Sequence, residues 1–146
     1  FATLGELHAG RWRKRGTPGV FASEKFVRFH RTLAALWAPQ GRVRLRILRL
    51  DGRPIAALFN FCWRDVEYFY QSGVYTQHKG LSPGIAAHAL AIEAAARSGA
   101  SAYDFLGGEA DSYKSVFGAP AEPLVRWIFY TRTWRARIVK LLANDG

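Results

Sequence analysis

The chain has 146 residues, of which 49% are apolar and 14% aromatic, and its formal net charge is +10. This composition excludes intrinsic disorder, and the length predicts a single domain, residues 1–146. Cys62 is the one cysteine of the sequence, which excludes an internal disulfide and a cysteine-built metal site. No run approaches the roughly 18 apolar residues of a membrane-spanning helix, so we expect no transmembrane segment and a cytoplasmic location.

The first third of the chain predicts two helices, residues 4–15 and 21–37. In the second, apolar residues recur at spacings of three and four, which is typical of one helix face. The first has a strongly basic exposed side. Because the chain starts at Phe1 and contains no methionine, we expect it to be part of a longer protein whose preceding part packs against it.

Three strands follow. Residues 42–47 alternate between arginine and apolar side chains, a period of two that predicts a strand with one wet face. Asp51-Gly52 predicts a hairpin turn. The almost wholly apolar run 54–63 predicts a strand buried on both faces, and residues 66–74 a third strand. These elements predict an antiparallel meander.

The rest of the chain returns to alternating helices and strands. We predict a helix over 83–98 with Ser82 as its N-cap and Gly99 after its end, and a short strand over 101–106. A short helix over 109–117, a strand over 124–131 and a basic tail or helix over 133–146 complete the prediction. A β-α-β unit after a meander implies an α/β fold, in which a mixed central sheet carries helices on both faces.

The segment 77–84, Gln-His-Lys-Gly-Leu-Ser-Pro-Gly, joins a predicted strand to a predicted helix. Its glycines let the backbone approach a ligand closely, and the free N–H groups of the helix that follows favour an anion such as a pyrophosphate. Lys79 adds a positive charge. The alternative is a tight turn without a ligand, and the segment by itself leaves both interpretations open.

A second segment, residues 103–118, carries other candidate groups. Asp104 lies in an apolar strand, where a carboxylate needs a partner, and we expect it to cap backbone N–H groups or pair with a cation. Tyr113 could donate a proton to a leaving thiolate, and Lys114 could stabilise an oxyanion. The alternative is that Tyr113 and Lys114 are ordinary surface residues of a short helix.

General-base candidates are few. Glu67 is the first and Glu93 the second, although we expect Glu67 to lie on the wet face of its strand. We interpret His88 as a hydrogen-bonded core histidine rather than a base. The histidines show no spacing that suggests a metal site, and we predict none.

In this order and on these elements, the two segments resemble the GNAT superfamily of acyltransferases, whose strand–loop–helix motif has the form Gln/Arg-x-x-Gly-x-Gly/Ala. Gln77 and Gly80 match that motif, and Ser82 replaces its last small residue. The chain is further similar to the cellulose-biosynthesis-type acetyltransferase branch, which is related to the Fem aminoacyl transferases. That similarity is carried by Arg11-Trp12 and by residues 52–56, 82–84, 104–108 and 113–117.

The resemblance implies transfer of an acyl group, from acetyl-CoA or another acyl-CoA, to an amine or hydroxyl of a small molecule or glycan precursor. It implies direct attack by the acceptor, with the acyl arm admitted where strand 66–74 splays from strand 101–106. The longer protein of which we expect this chain to be a part could carry a second domain of the same kind. The implied catalytic residues are Lys114 and Tyr113, to which we add Glu67 as the candidate general base. The implied CoA-binding residues are Gln77, Lys79, Gly80, Leu81, Ser82 and Gly84.

Two other functions stay open. The Fem relatives use aminoacyl-tRNA as the donor, and the arginine-rich regions 11–15, 42–49 and 126–140 could contact its phosphates. These charges could equally form solvated faces. The second alternative is a binding or regulatory module that has the GNAT fold without activity.

Overall fold

A computed structural model describes residues 1–75, 80–107, 113–121, 123 and 125. Within these residues the elements follow the predicted order. Helices α1, α2 and α3 span Ala2–Arg13, Glu24–Trp37 and Pro83–Arg97, strands β1 to β4 span Val43–Leu50, Arg53–Trp63, Val66–Val74 and Ala102–Asp104, and single 3-10 turns lie at Val20–Ala22 and Tyr113–Phe117. The predicted strand 124–131, apart from Val125, and the basic segment 133–146 lie outside the described residues.

The described strands form one mixed sheet in the order β1-β2-β3-β4. The first two pairings are antiparallel and the third is parallel, which confirms the predicted meander followed by a β-α-β unit. Asp51 and Gly52 have φ angles of 49° and 77° and connect the paired residues Leu50 and Arg53. Two successive positive φ angles are typical of the tight hairpin turn predicted from the Asp-Gly pair.

Helices cover both faces of the sheet, as the α/β prediction requires. On one face, Phe59 and Ala57 of β2 lie in a core cluster with Leu4 of α1, and Trp37 of α2 packs against that cluster. A side chain the size of Phe59, only 1% exposed, contributes about 2–3 kcal/mol by leaving water. Within the described part of the chain, no helix is both long and apolar enough to cross a bilayer.

The opposite face carries α3. Ala56 and Leu58 of β2 form a core cluster with Ala87 and Ala91, two small residues one helical turn apart. Small side chains on this stripe let α3 lie close to the sheet. Because β2 is covered on both faces, residues 55–60 are buried in succession, as the apolar run predicted.

Several details at the ends of the elements differ from the prediction. Helix α2 begins at Glu24, because the Ser23 hydroxyl accepts the Phe26 N–H at 3.3 Å and caps it there. Ser82 occupies the N-cap position of α3, but its side chain makes no capping hydrogen bond. Strand β4 ends at Asp104, whose carboxylate turns the chain by accepting the N–H of Leu106 (φ 53°) at 2.6 Å.

Helix α1 crosses β3 at Gly73, where only a residue without a side chain fits. A Cβ atom there would lie 2.6 Å from the backbone nitrogen of His8 and 2.7 Å from the carbonyl oxygen of Leu4. These are main-chain atoms of α1, so a larger residue displaces the whole helix. Gly73 therefore sets how closely α1 approaches the sheet.

We predict that Gly73→Ala lowers the free energy of unfolding by about 1–3 kcal/mol, the usual cost of overpacking. Gly10→Ala is the matched control, since Gly10 lies in α1, the helix that Gly73 contacts, and a Cβ there meets nothing within 4 Å. It should stabilise the protein by about 0.5–1 kcal/mol through helix propensity. Urea denaturation measures both, and equal stability of the two variants would contradict the close contact.

Candidate active site

A cavity of about 610 Å³ lies between α1, the end of β3 and the start of α3. This volume is typical of sites for small organic ligands. The residues that line it are Arg11, Lys14, Arg15, Ser72, Val74, Tyr75, Leu81, Ser82, Pro83, Gly84, Ile85, His88 and Tyr113.

One wall of the cavity is strongly positive. Arg11, Lys14 and Arg15 line it, and no described lining residue is acidic. Spacings of three and four residues place these cations on one side of α1 and the turn that ends it. The guanidinium of Arg15 also lies 5.4 Å from the ring centroid of Trp12, which restrains it. The predicted basic side of the first helix therefore faces a cavity.

The start of α3 forms the facing wall. The first helical hydrogen bond runs from the Ala86 N–H to the Ser82 carbonyl at 3.0 Å, and Pro83 has no N–H. The amides of Gly84 and Ile85 therefore have no acceptor within the helix. With the helix dipole and three nearby cations, they make this end of the cavity suited to an anion.

The pairing of strands β3 and β4 ends beside the cavity. They pair only over Val66, Glu67 and Tyr68, opposite Ala102 to Asp104, while β3 continues to Val74. The turn at Asp104 directs the chain away from β3. Among the described residues, β4 does not pair with the half of β3 that carries the lining residues Ser72 and Val74.

Glu67 does not lie on a wet face, contrary to the prediction. It is only 2% exposed and faces α3, and its carboxylate forms a two-pronged ion pair with the Arg46 guanidinium, whose Nη2 lies 3.0 Å from Oε2. The Asn60 side-chain amide donates a further hydrogen bond to Oε1 at 2.6 Å. Arg46, predicted on the wet face of β1, is only 24% exposed and compensates this buried charge.

A chain of hydrogen bonds leads from Glu67 to the cavity. The Asn60 amide nitrogen lies 3.0 Å from the Tyr103 hydroxyl, which lies 3.0 Å from Nδ1 of His88. Nε2 of His88 lies 3.1 Å from the hydroxyl of Tyr113. His88 is 1% exposed and bonded at both ring nitrogens, so the prediction of a hydrogen-bonded core histidine is confirmed.

Burial fixes the protonation of these groups near neutral pH. Burial, reinforced by the positive charge of Lys114, lowers the pKa of His88 from 6.5 to about 4, so the imidazole is neutral. Burial also raises the pKa of Tyr113, opposed by the charge of Arg11, so its hydroxyl keeps its proton. Tyr113 can therefore donate a hydrogen bond to a ligand, and His88 is a poor base.

The side chain of Lys114 binds the turn that follows β4. Its ammonium donates to the carbonyl oxygens of Phe105 at 2.7 Å and Gly107 at 2.6 Å, and lies 5.7 Å from the ring centroid of Phe69. Burial lowers its pKa, and the charge of Asp104 opposes that shift. The capping role expected for Asp104 is confirmed by its bond to the Leu106 N–H.

The structure thus brings together only some of the predicted site residues. Leu81, Ser82, Gly84 and Tyr113 line one cavity, whereas Gly80 (φ 80°), Glu67 and Lys114 are not among its lining residues. Gln77 and Lys79 lie outside the described residues. The sequence predicts a role for residues 11–15 only as a basic region that could contact tRNA phosphates, and it predicts no site role for Asn60 or Tyr103. The signal for those two was a polar residue within an apolar strand.

The family model described as "Acetyltransferase (GNAT) domain" matches residues 1–115. The match covers well over half of the chain, so the chain belongs to this family of acyltransferase domains. It confirms the resemblance to the GNAT superfamily, whose domains generally use acyl-CoA as the donor. Neither a search of curated proteins nor one of solved structures gives a match.

We predict that the free energy of unfolding falls as the pH drops from about 6.5 towards 4. Because the pKa of His88 falls from 6.5 to about 4 on folding, the unfolded state binds more protons in this range. The loss from this group is roughly 3 kcal/mol across the range, and none of it occurs above pH 7.

Urea denaturation at pH 7 and pH 4.5 measures the effect, with His88→Gln as the control that removes this titration. The difference in the free energy of unfolding between pH 7 and pH 4.5 should be smaller in the variant. Part of it remains, because burial also lowers the pKa of His8. An unchanged difference would contradict the assignment.

Proposed function

We propose that this domain transfers an acyl group, in the first place acetyl, from CoA to an amine or hydroxyl acceptor. The observation that carries the proposal is the cavity, which combines a wall of three cations, the open N-terminus of α3 and the protonated Tyr113 hydroxyl. An acyl-CoA offers matching groups: its phosphates suit the cations and the open helix N-terminus, and its thioester suits the Tyr113 hydroxyl.

The phosphates would lie against the positive end of the cavity. The amides of Gly84 and Ile85 would donate to the pyrophosphate, and Arg11 and Lys14 would balance its charge. The preceding loop would extend this site through Gln77, Lys79, Gly80 and Leu81. The acyl arm would follow the half of β3 that β4 leaves unpaired.

The thioester would lie near Tyr113. The acceptor nitrogen or oxygen forms a bond to the carbonyl carbon, the carbon–sulfur bond breaks, and the acceptor proton leaves to solvent. Negative charge develops on the sulfur, and a hydrogen bond from the Tyr113 hydroxyl stabilises it. Lys114 would support this step by holding the turn after β4 in place, through the carbonyls of Phe105 and Gly107.

Glu67 has no place in this step as a base. A general base must come within hydrogen-bonding reach of the acceptor, and Glu67 is buried, is bonded by Arg46 and Asn60, and does not line the cavity. Proton loss from the acceptor to water serves instead.

The acceptor class rests on the resemblance to the cellulose-biosynthesis-type branch. We propose a glycan or cell-envelope precursor with a free amine or hydroxyl, modified in the cytoplasm. A cavity of about 610 Å³ has room for an acyl arm together with one such acceptor group.

Aminoacyl-tRNA is the second candidate donor, favoured by the net charge of +10. All four arginines of the second basic region have local partners, which weighs against a phosphate-binding groove there. Arg49 donates to the Gly52 carbonyl at 3.0 Å. Arg42 lies 5.0 Å from the ring centroid of Trp63, Arg44 donates to the Gly41 carbonyl at 2.9 Å, and Arg46 pairs with Glu67.

We predict that acetyl-CoA binds the full chain with a calorimetric heat at sub-millimolar concentration, and that Arg11→Gln with Lys14→Gln weakens binding about tenfold or more. Two charge-assisted contacts are lost, each worth roughly 1 kcal/mol or more. The weakening should be larger at low salt.

Arg13→Gln is the matched control, because Arg13 lies on the same helix but is not a lining residue of this cavity. It should leave the affinity for acetyl-CoA within about twofold, since an exposed charge outside the cavity is screened by solvent and salt. No heat with wild-type protein, or equal losses in both variants, would count against the proposal. Salt-sensitive binding of tRNA in place of CoA would favour the second candidate.

We predict that Tyr113→Phe lowers kcat about 10- to 100-fold and leaves the KM for acetyl-CoA nearly unchanged, because the hydroxyl acts on charge that develops only during transfer. Release of the CoA thiol, followed with a panel of amine and hydroxyl acceptors, measures the rate. Acetyl-CoA binding without turnover on any acceptor would favour the non-catalytic module.

A further inference from the structure

The buried hydrogen-bond chain behind Tyr113 has a direction that its terminal ion pair imposes. Arg46 only donates and the Glu67 carboxylate only accepts, so Asn60 must present its NH₂ group to Glu67 rather than its oxygen. The second hydrogen of that NH₂ group then points to the Tyr103 hydroxyl oxygen at 3.0 Å. The oxygen Oδ1 of Asn60 is buried without a partner among the described residues. The orientation of the amide is therefore determined by the Glu67 charge and not by a hydrogen bond to Oδ1.

The same direction continues through Tyr103. Its oxygen accepts from Asn60, so its own proton is free to point at Nδ1 of His88, 3.0 Å away. A neutral imidazole that accepts at Nδ1 carries its hydrogen on Nε2. In the opposite tautomer the Tyr103 oxygen would accept twice, and its proton would have no acceptor in the described part of the chain.

Tyr113 receives the end of this chain. Nε2–H of His88 donates to the Tyr113 oxygen at 3.1 Å, so the hydroxyl proton of Tyr113 cannot point back at His88. Tyr113 lines the cavity, and its proton is free to point into it. If any earlier hydrogen bond in the chain ran in the opposite direction, the Tyr113 hydroxyl would have to donate to Nε2 of His88. The cavity would then lack this donor.

We propose that Glu67, Asn60 and Tyr103 are positioning residues of the acyl-transfer site, which hold His88 in the Nε2–H tautomer and thereby direct the hydroxyl proton of Tyr113 into the cavity. The inference rests on the proposed function for what the proton meets, namely the sulfur that takes up the electron pair as the carbon–sulfur bond breaks. The orientation itself is a property of the free protein.

The first test needs no ligand. Nitrogen-15 NMR of histidine-labelled full-length protein at pH 7, assigned by comparison with His88→Gln, reports which ring nitrogen of His88 carries the hydrogen. We expect Nε2–H alone in wild type and a mixture of both tautomers in Tyr103→Phe, which lacks the hydroxyl between Asn60 and His88. An Nδ1–H tautomer in wild type would overturn the proposal, whether or not any variant folds.

Tyr70→Phe is the matched control. Its hydroxyl lies 3.0 Å from Nε2 of His30, a Tyr–His contact of the same length within the cluster that α1 and α2 cover. Removing it should leave the signals of His88 and the rate of transfer unchanged. Loss of the tautomer preference in both variants would show a general loosening of the core and would overturn the proposal.

The second test is a double-mutant cycle on CoA thiol release from acetyl-CoA. Tyr103→Phe should lower kcat about tenfold with the KM for acetyl-CoA unchanged, and should have no further effect in the Tyr113→Phe background. Equal losses in both backgrounds would mean that Tyr103 acts independently of Tyr113, and would overturn the proposal. If wild-type protein binds no acetyl-CoA, the proposed function fails, while the NMR result still decides the orientation of Tyr113.

Discussion

A carboxylate buried within a sheet is stable only if charge and hydrogen bonds replace the water it has lost, and Glu67 imposes this requirement on its surroundings. Arg46 supplies the charge from β1 and Asn60 supplies the hydrogen bond from β2. Glu67 itself lies on β3 and pairs in register with Tyr103 of β4. One buried group thus ties all four described strands together and commits the polar residues between the sheet and α3 to a single arrangement.

The cavity also depends on this arrangement of polar residues between the sheet and α3. Helix α3 brings His88 into the hydrogen-bond chain next to Tyr113 and its own N-terminus to the cavity, so one helix serves both the buried hydrogen bonds and the anion site. Helix α1 brings the cations, and its close contact at Gly73 determines how near they come. A family of acyltransferase domains would need this combination: a place for phosphates, and a proton donor at a fixed distance from them.

Local chemistry made most of the fold predictable. The Asp51-Gly52 turn, the doubly buried β2 and the helix that ends before Gly99 (φ 85°) each follow from residues close in sequence. The site was less predictable, because it depends on pairs far apart. Glu67 is a charged residue at the start of a strand, a position that suggests exposure to solvent. It can be buried because Arg46, 21 positions away in the sequence, pairs with its charge. Nothing near Tyr103 in the sequence indicates that its hydroxyl forms a hydrogen bond with His88.

A crystal structure of the full chain with CoA tests directly whether the cavity holds CoA with its sulfur at the Tyr113 hydroxyl. We predict pyrophosphate oxygens within hydrogen-bonding distance of the Gly84 and Ile85 amides, and the sulfur within hydrogen-bonding distance of the Tyr113 oxygen, which still accepts from His88. CoA bound elsewhere, or a sulfur turned away from a Tyr113 that donates to His88, would contradict it.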